Sequence, residues 1–115
     1  MNLELPNQMR LFRERVDRES RSLKDPYHAL ECLQEFYSGL DADDRLRADA
    51  VLMDWTRSDD EGLRFDALVL IDGFKIVAAI GALESLAARL ESASTPGAPY
   101  ELLKVQRILQ GLRGC

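Results

Sequence analysis

The sequence predicts an all-α protein of about six helices, arranged as stacked antiparallel helical hairpins in a single domain over residues 1–115. Apolar residues recur every three or four positions along most of the chain, which is the spacing of one face of an α-helix. No segment shows the alternation of apolar and polar residues that indicates a half-buried strand. Two segments repeat each other at a shift of 17 residues, about one helix and one turn. Such a repeat favours stacked hairpins over a closed bundle.

The first two helices are predicted from single apolar stripes. One covers about residues 7–23, with charged side chains between its apolar positions. The other begins after Asp25, an N-cap residue that is followed by Pro26, and it ends near Gly39. A single stripe is typical of a helix at the edge of a structure.

Helices three and four are predicted to be central. Acidic residues open both of them, in the first turn, where the helix dipole favours negative charge. Apolar residues cover two sides of each helix, so we expect neighbours on both sides. The second side of helix three consists of Leu46, Ala50 and Met53, and that of helix four includes Phe65.

The last two helices are separated by the only stretch of the sequence that is rich in proline, glycine and serine. The fifth helix is predicted to begin at Lys75-Ile76, and the sixth at Pro99 with an end near Gly111. Taken together, the apolar patterns predict that the core is led by Leu52, Leu70, Ile71, Ile80 and Leu83.

The two repeated segments carry a resemblance to a known family. Residues 46–50 lie over residues 63–67, and both read Leu-Arg-x-Asp-Ala before further apolar residues. The stretch over residues 46–90 resembles HEAT repeats: residues 50–55 are similar to an inner helix, and residues 58–64 are similar to the acidic turn that opens the next outer helix. The resemblance covers one complete repeat, and it implies a scaffold that holds another protein along its inner helices.

The net charge of −5 is unevenly distributed. Residues 25–72 contain 13 acidic residues and four arginines, whereas the segments on either side are mildly basic. An acidic centre argues against nucleic acid as the main partner and favours a basic protein. The basic residues of the first helix are expected to form a solvated, self-paired face, because Arg13–Asp17 and Arg15–Glu19 have the four-residue spacing of helical ion pairs.

Residues that could support catalysis or bind a metal are sparse. The chain has one histidine, His28, and two cysteines, Cys32 and Cys115, and we expect no nucleophile–base or metal-ligand spacing among them. The sequence contains no glycine-rich phosphate loop and no Ser/His/Asp order. The acidic clusters at 41–44 and 59–61 lack EF-hand spacing, so helix capping, alone or together with partner contact, is the expected role. We therefore expect no enzyme activity, no metal, no cofactor and no small-molecule ligand.

These observations predict a cytoplasmic protein-interaction module. No apolar run is long enough to span a membrane, and the first residues lack the pattern of a secretory signal. The specific hypothesis is a bacterial immunity or inhibitor protein that neutralises a basic toxin, such as a nuclease, whose capture an acidic surface would accelerate. An adaptor or assembly chaperone is one alternative, and a nucleic-acid-binding HEAT-like module is another.

The row of contact side chains is expected to come from the third and fifth helices and from the turns beside them, and it has seven candidate residues. They are Arg47, Asp54, Trp55, Arg57, Asp59, Asp60 and Asp72. Trp55 is the one large aromatic residue among them that could anchor an interface. The alternative for Trp55 is that it fills the core beside Val51 and Leu52.

Overall fold

A computed structural model describes residues 4–23 and 28–114 of the chain. In these ranges it contains no strand and six α-helices: α1 (Leu5–Leu23), α2 (His28–Ser38), α3 (Ala42–Thr56), α4 (Glu61–Gly73), α5 (Ile80–Ser92) and α6 (Ala98–Arg113). The predicted all-α class is confirmed. The predicted start of the second helix at Asp25 and Pro26 lies outside the described residues, and so does Cys115.

The chain folds as two compact units, Met1–Val51 and Leu52–Cys115, and α3 contributes residues to both. In the first unit, α1 packs against α2. The rings of Phe12 and Phe36 meet between these helices, with 4.9 Å between their centroids. The predicted pairs on the solvated face of α1 are confirmed, with charged atoms 3.8 Å apart in Arg13–Asp17 and 3.9 Å apart in Arg15–Glu19. A single domain over residues 1–115 stays a prediction.

In the second unit, α5 and α6 form a helical hairpin, and α6 also packs against α4. Glu84, in the first half of α5, lies 3.1 Å from Arg113 at the end of α6, so these two helices are antiparallel. Arg64 of α4 contacts Glu101 of α6, which places the beginnings of α4 and α6 side by side. At their other ends, the ammonium of Lys75, just after α4, lies beside Gly111 of α6, so these two helices run parallel. This pairing is consistent with the predicted stacked hairpins, in which alternate helices share a direction.

The end of α4 is a Schellman motif centred on a residue other than glycine. The amide of Ile76 donates a hydrogen bond to the carbonyl of Ile71 at 3.0 Å, and the amide of Lys75 donates one to the carbonyl of Asp72 at 3.4 Å. Lys75 has a φ of 52°, in the left-handed region that glycine normally occupies. Gly73 is the last residue of α4, two residues before this position.

The fifth helix begins later than predicted, because Val77–Ala79 form a short 3₁₀ helix before it. In a 3₁₀ turn, residues three apart lie on the same face, so Ile76 and Ala79 are both buried and Ile80 is only half-buried. The prediction that Ile80 is among the most buried side chains is therefore wrong. The prediction is confirmed for the other members of that set, which are fully buried: Leu52, Leu70, Ile71 and Leu83.

The predicted second apolar side of α3 is not packed. Leu46 is 68% exposed, Ala50 is exposed and Met53 is half-buried. Phe65 on α4, also assigned to a packed side, is 43% exposed. The expectation of two covered sides is wrong at these positions because single apolar residues tolerate solvent, so a helix needs only one well-packed face.

Candidate functional site

The seven predicted contact residues lie on α3, on the turn after it and on α4, with Arg47 in the first unit and the other six in the second. Local ion pairs engage four of them: Arg47–Asp44 at 3.0 Å, Asp54–Arg57 at 2.8 Å and Asp72–Lys75 at 3.1 Å. Among the seven candidates, Asp54 and Arg57 are thus in direct contact. Pairs as exposed as Asp54–Arg57 contribute about 0–1 kcal/mol, so a partner would break them easily.

Trp55 is buried, with 7% of its surface exposed. The next residue, Thr56, is completely buried, and its hydroxyl donates a hydrogen bond to the carbonyl of Met53 at 2.6 Å. A ring that is already enclosed presents little surface to a partner. Its burial therefore fits the alternative that Trp55 fills the core.

The turn before α4, which we call the acidic turn, comprises Asp59, Asp60 and Glu61. Asp60 is the N-cap of α4, and its carboxylate accepts hydrogen bonds from two backbone amides of the first helical turn, at 2.9 and 3.3 Å. Asp59 is fully exposed, and among the described residues its one ion pair is a long contact of 3.9 Å with Arg89. Glu61 is exposed, and no ion pair joins it to any other described residue. The carboxylate of Asp60 is engaged in capping hydrogen bonds. The carboxylates of Asp59 and Glu61 are therefore the ones in this turn that we expect a partner to contact.

Asp41, the acidic residue before α3, also caps its helix. The carboxylate of Asp41 accepts a hydrogen bond from the amide of Asp44 at 2.8 Å, as the sequence predicts. Within residues 4–23 and 28–114, no group of three or more His, Cys, Asp or Glu side chains is placed to hold a metal ion.

A groove of about 310 Å³ lies in the second unit between the first halves of α4 and α6. The side chains and backbone around it belong to Glu61, Phe65, Leu68, Gly97, Tyr100, Glu101 and Lys104. Leu68 is fully buried, whereas Tyr100 is 78% exposed. Exposed aromatic rings around an apolar depression are typical of residues that anchor protein interfaces. The sequence did not predict this groove. The position of Tyr100, directly after Pro99 at a helix start, nevertheless indicated that this aromatic residue is exposed.

One wall of the groove is fixed by an ion pair between α4 and α6. Arg64 Nε donates to one oxygen of Glu101 at 2.7 Å, and its Nη2 donates to the other at 2.9 Å. Arg64 Nη1 also donates to the carbonyl of Ser58 at 3.0 Å, which ties the turn after α3 to the same site. Only 14% and 12% of the two side chains are exposed. The hydrogen bonds to Glu101 raise the pKa of Arg64 against the opposing effect of burial, and the charges of Glu101, Glu61 and Asp59 act in the same direction as the hydrogen bonds, so the guanidinium stays charged.

The charged groups that remain lie toward opposite ends of the groove. The Glu61 carboxylate reaches Gly97, where an added Cβ atom would lie 3.7 Å from Oε1. The Lys104 ammonium lies over the ring of Phe65, 4.3 Å from its centroid. Glu101 forms its ion pair with Arg64, so Glu61 is the carboxylate of the groove lining that has no ion pair with a described residue.

A second polar set lies in the first unit, around Cys32. His28 Nε2 lies 3.6 Å from Cys32 Sγ and 3.4 Å from Glu19 Oε2. The expectation that Cys32 has no histidine partner is wrong, because residues four apart share a helix face. Burial, followed by Glu35 and Glu19, raises the pKa of the Cys32 thiol. An activated nucleophile needs the opposite shift. Both contacts also use the same imidazole nitrogen, whereas a triad uses the two nitrogens separately.

Tyr37 forms a buried polar contact between α2 and α3 within the first unit. Its hydroxyl donates a hydrogen bond to Asp49 Oδ1 at 2.7 Å, and the guanidinium of Arg45 lies 5.4 Å from its ring centroid. Burial, and then the hydrogen bond to Asp49, raises the pKa of Tyr37 well above its ordinary value.

This shift predicts that alkaline pH destabilises the first unit through Tyr37. Below pH 10, about the ordinary tyrosine pKa, the folded and unfolded states both hold the proton, and the stabilisation is complete. Above pH 10 the unfolded state loses its proton first, so the free energy of unfolding should fall by about 1.4 kcal/mol per pH unit until the folded-state pKa is reached. Urea denaturation at pH 8 and pH 11 measures the fall. Tyr37→Phe should reduce it, whereas the exposed control Tyr100→Phe should not. An equal fall in both variants would contradict the assignment.

No helix in the described parts of the chain has both the length and the apolar character needed to cross a membrane. No protein-family model, curated protein or solved structure matches this sequence.

Proposed function

We propose that this chain is a protein-binding module that captures a basic partner protein through the acidic turn and the adjoining groove of its second unit. The observation that carries this proposal is the exposed carboxylate of Glu61 in a groove bordered by the exposed rings of Phe65 and Tyr100, two residues after the exposed carboxylate of Asp59. Interfaces commonly combine aromatic anchors with a charged rim. The charged rim accelerates the encounter with a partner of opposite sign.

The specific form of this proposal is a cytoplasmic immunity or inhibitor protein of a bacterium, whose partner is a basic toxin such as a nuclease. Nucleases that bind phosphate backbones present basic surfaces, and an acidic protein that covers such a surface would block it. The overall charge of −5 and the 13 acidic residues within 25–72 support this form. The alternative functions are an adaptor, an assembly chaperone and a nucleic-acid-binding module, and the experiment must distinguish the immunity protein from each of them.

The experiment uses the protein encoded by each neighbouring gene, co-expressed and then purified, as the binding probe. For a product that binds, Asp59→Lys should slow association about tenfold at low salt, and the effect should shrink at high salt because the charges are screened. Asp59 is preferred to Asp60 for this test, since replacing Asp60 would also remove the N-cap of α4. Glu91→Lys, an exposed charge reversal on α5, is the matched control.

Two results would contradict the proposal. One is an association rate that responds equally to Asp59→Lys and Glu91→Lys, which would indicate a general charge effect and no defined surface. The other is binding to duplex DNA or RNA at physiological salt while no neighbouring gene product binds, which would favour the nucleic-acid alternative. A bound partner without toxic activity would favour an adaptor or chaperone.

A further inference from the structure

The groove between α4 and α6 has an apolar centre and one open charge near each end. Leu68 forms the buried floor, and the rings of Phe65 and Tyr100 stand beside it. At one end the Glu61 carboxylate has no ion pair with a described residue, and farther along α6 Lys104 lies against Phe65. The groove is therefore chemically asymmetric along its length.

The size of the groove limits what it holds. Pockets for small-molecule ligands usually measure about 300–1,000 Å³, and at about 310 Å³ this groove lies at the lower limit. It is also open to solvent along α6, because Tyr100 is largely exposed. One large side chain presented on a partner's surface fits this space and this openness.

We infer that the groove binds a short segment of a partner protein that places one aromatic side chain between Phe65 and Tyr100 and an adjacent lysine or arginine at Glu61. The inference rests on the proposed function for the nature of the occupant, a basic protein. Charge complementarity selects the neighbour of the aromatic side chain. An occupant that covers Glu61 would partly desolvate a carboxylate that has no ion pair with a described residue, and a basic group reduces that penalty. At that end of the groove an acidic neighbour would instead face the carboxylate of Glu61.

The ion pair between Arg64 and Glu101 explains why Glu101, the other carboxylate of the lining, does not bind the basic group of the partner. Both oxygens of Glu101 already accept hydrogen bonds from Arg64. A lysine or arginine that enters the groove therefore finds one free carboxylate in its lining, that of Glu61.

The test uses two matched peptides, acetyl-Trp-Lys-amide and acetyl-Trp-Glu-amide, titrated into the ¹⁵N-labelled full chain while amide chemical shifts are recorded. The lysine peptide should shift the amides around Leu68 and Tyr100, with a Kd in the millimolar range, and should bind at least fivefold more tightly than the glutamate peptide at low salt. Glu61→Gln should abolish that preference, whereas the control Glu91→Gln should retain it. Tyr100→Ala should weaken both peptides at least threefold, whereas Leu103→Ala, an exposed position of α6 outside the groove lining, should leave them unchanged.

Equal affinities for the two peptides, a preference that survives Glu61→Gln, or no binding up to the solubility limit would overturn the inference. Shifts confined to residues away from the groove would overturn it as well. The two proposals fail separately. The peptides need no natural partner, so their result does not depend on the Asp59→Lys experiment. If a basic partner binds more slowly to Asp59→Lys but binds normally to Tyr100→Ala, the proposed function stands and the groove is not part of the interface.

Discussion

Leu83→Ala is expected to lower the free energy of unfolding of the second unit by about 2–5 kcal/mol, the range observed when a buried leucine is truncated. Leu83 is completely buried on α5, so the deletion removes apolar contacts and leaves a cavity. Urea denaturation measures this as a lower midpoint at an unchanged dependence on denaturant. Leu70→Ala on α4 should behave in the same way, since Leu70 is also completely buried.

Leu103→Ala is the matched control for both core substitutions. Leu103 is 60% exposed on α6, so its truncation should change stability by less than about 0.5 kcal/mol. A loss below about 1 kcal/mol for both Leu70→Ala and Leu83→Ala would show that α4 and α5 are not packed as the structure has them.

Arg64→Met is expected to lower the free energy of unfolding by about 3 kcal/mol, because it leaves the carboxylate of Glu101 largely buried without its counter-ion. Glu101→Met should be similarly harmful, since it leaves the guanidinium unpaired. The double variant, which removes both charges, should recover much of the loss, because apolar pairs of similar size often replace buried ion pairs well. Urea denaturation of the four proteins forms a double-mutant cycle.

Arg57→Met provides the comparison for the cycle, because its pair with Asp54 is mostly exposed. That change should lower stability by at most about 1 kcal/mol. If the effects of Arg64→Met and Glu101→Met simply add in the double variant, the two side chains do not act as a coupled pair, and the bidentate contact between α4 and α6 contributes little.

The helices were largely predictable from the sequence because their signals are local. Apolar spacing, N-caps such as Asp60 and glycine stops act within a few residues, and the structure places helices where these signals occur. The delayed start of α5 was not predictable in this way. It follows the turn at Lys75, whose left-handed conformation the side chain itself does not favour and which occurs together with the hydrogen bonds of the Schellman motif.

The candidate site was predicted only in part, for a related reason. The exposure of Asp59 and the capping role of Asp60 follow from their positions in a turn before a helix. The groove, by contrast, depends on Arg64 and Glu101, which are 37 residues apart in the chain. A pattern of apolar spacing shows that Phe65 and Leu68 belong to a helix, but it does not show which of them a distant helix covers.

The parallel arrangement of α4 and α6 also bears on the order of events during folding. Two parallel helices cannot meet until the chain between them has reversed direction, and here α5 makes that reversal. The contact between Arg64 and Glu101 closes a 37-residue loop, with an entropy loss that exceeds that of the local α5–α6 hairpin. The hairpin should therefore form before α6 docks on α4. Loss of the Arg64 contact would then accelerate unfolding of the second unit while leaving its folding rate nearly unchanged.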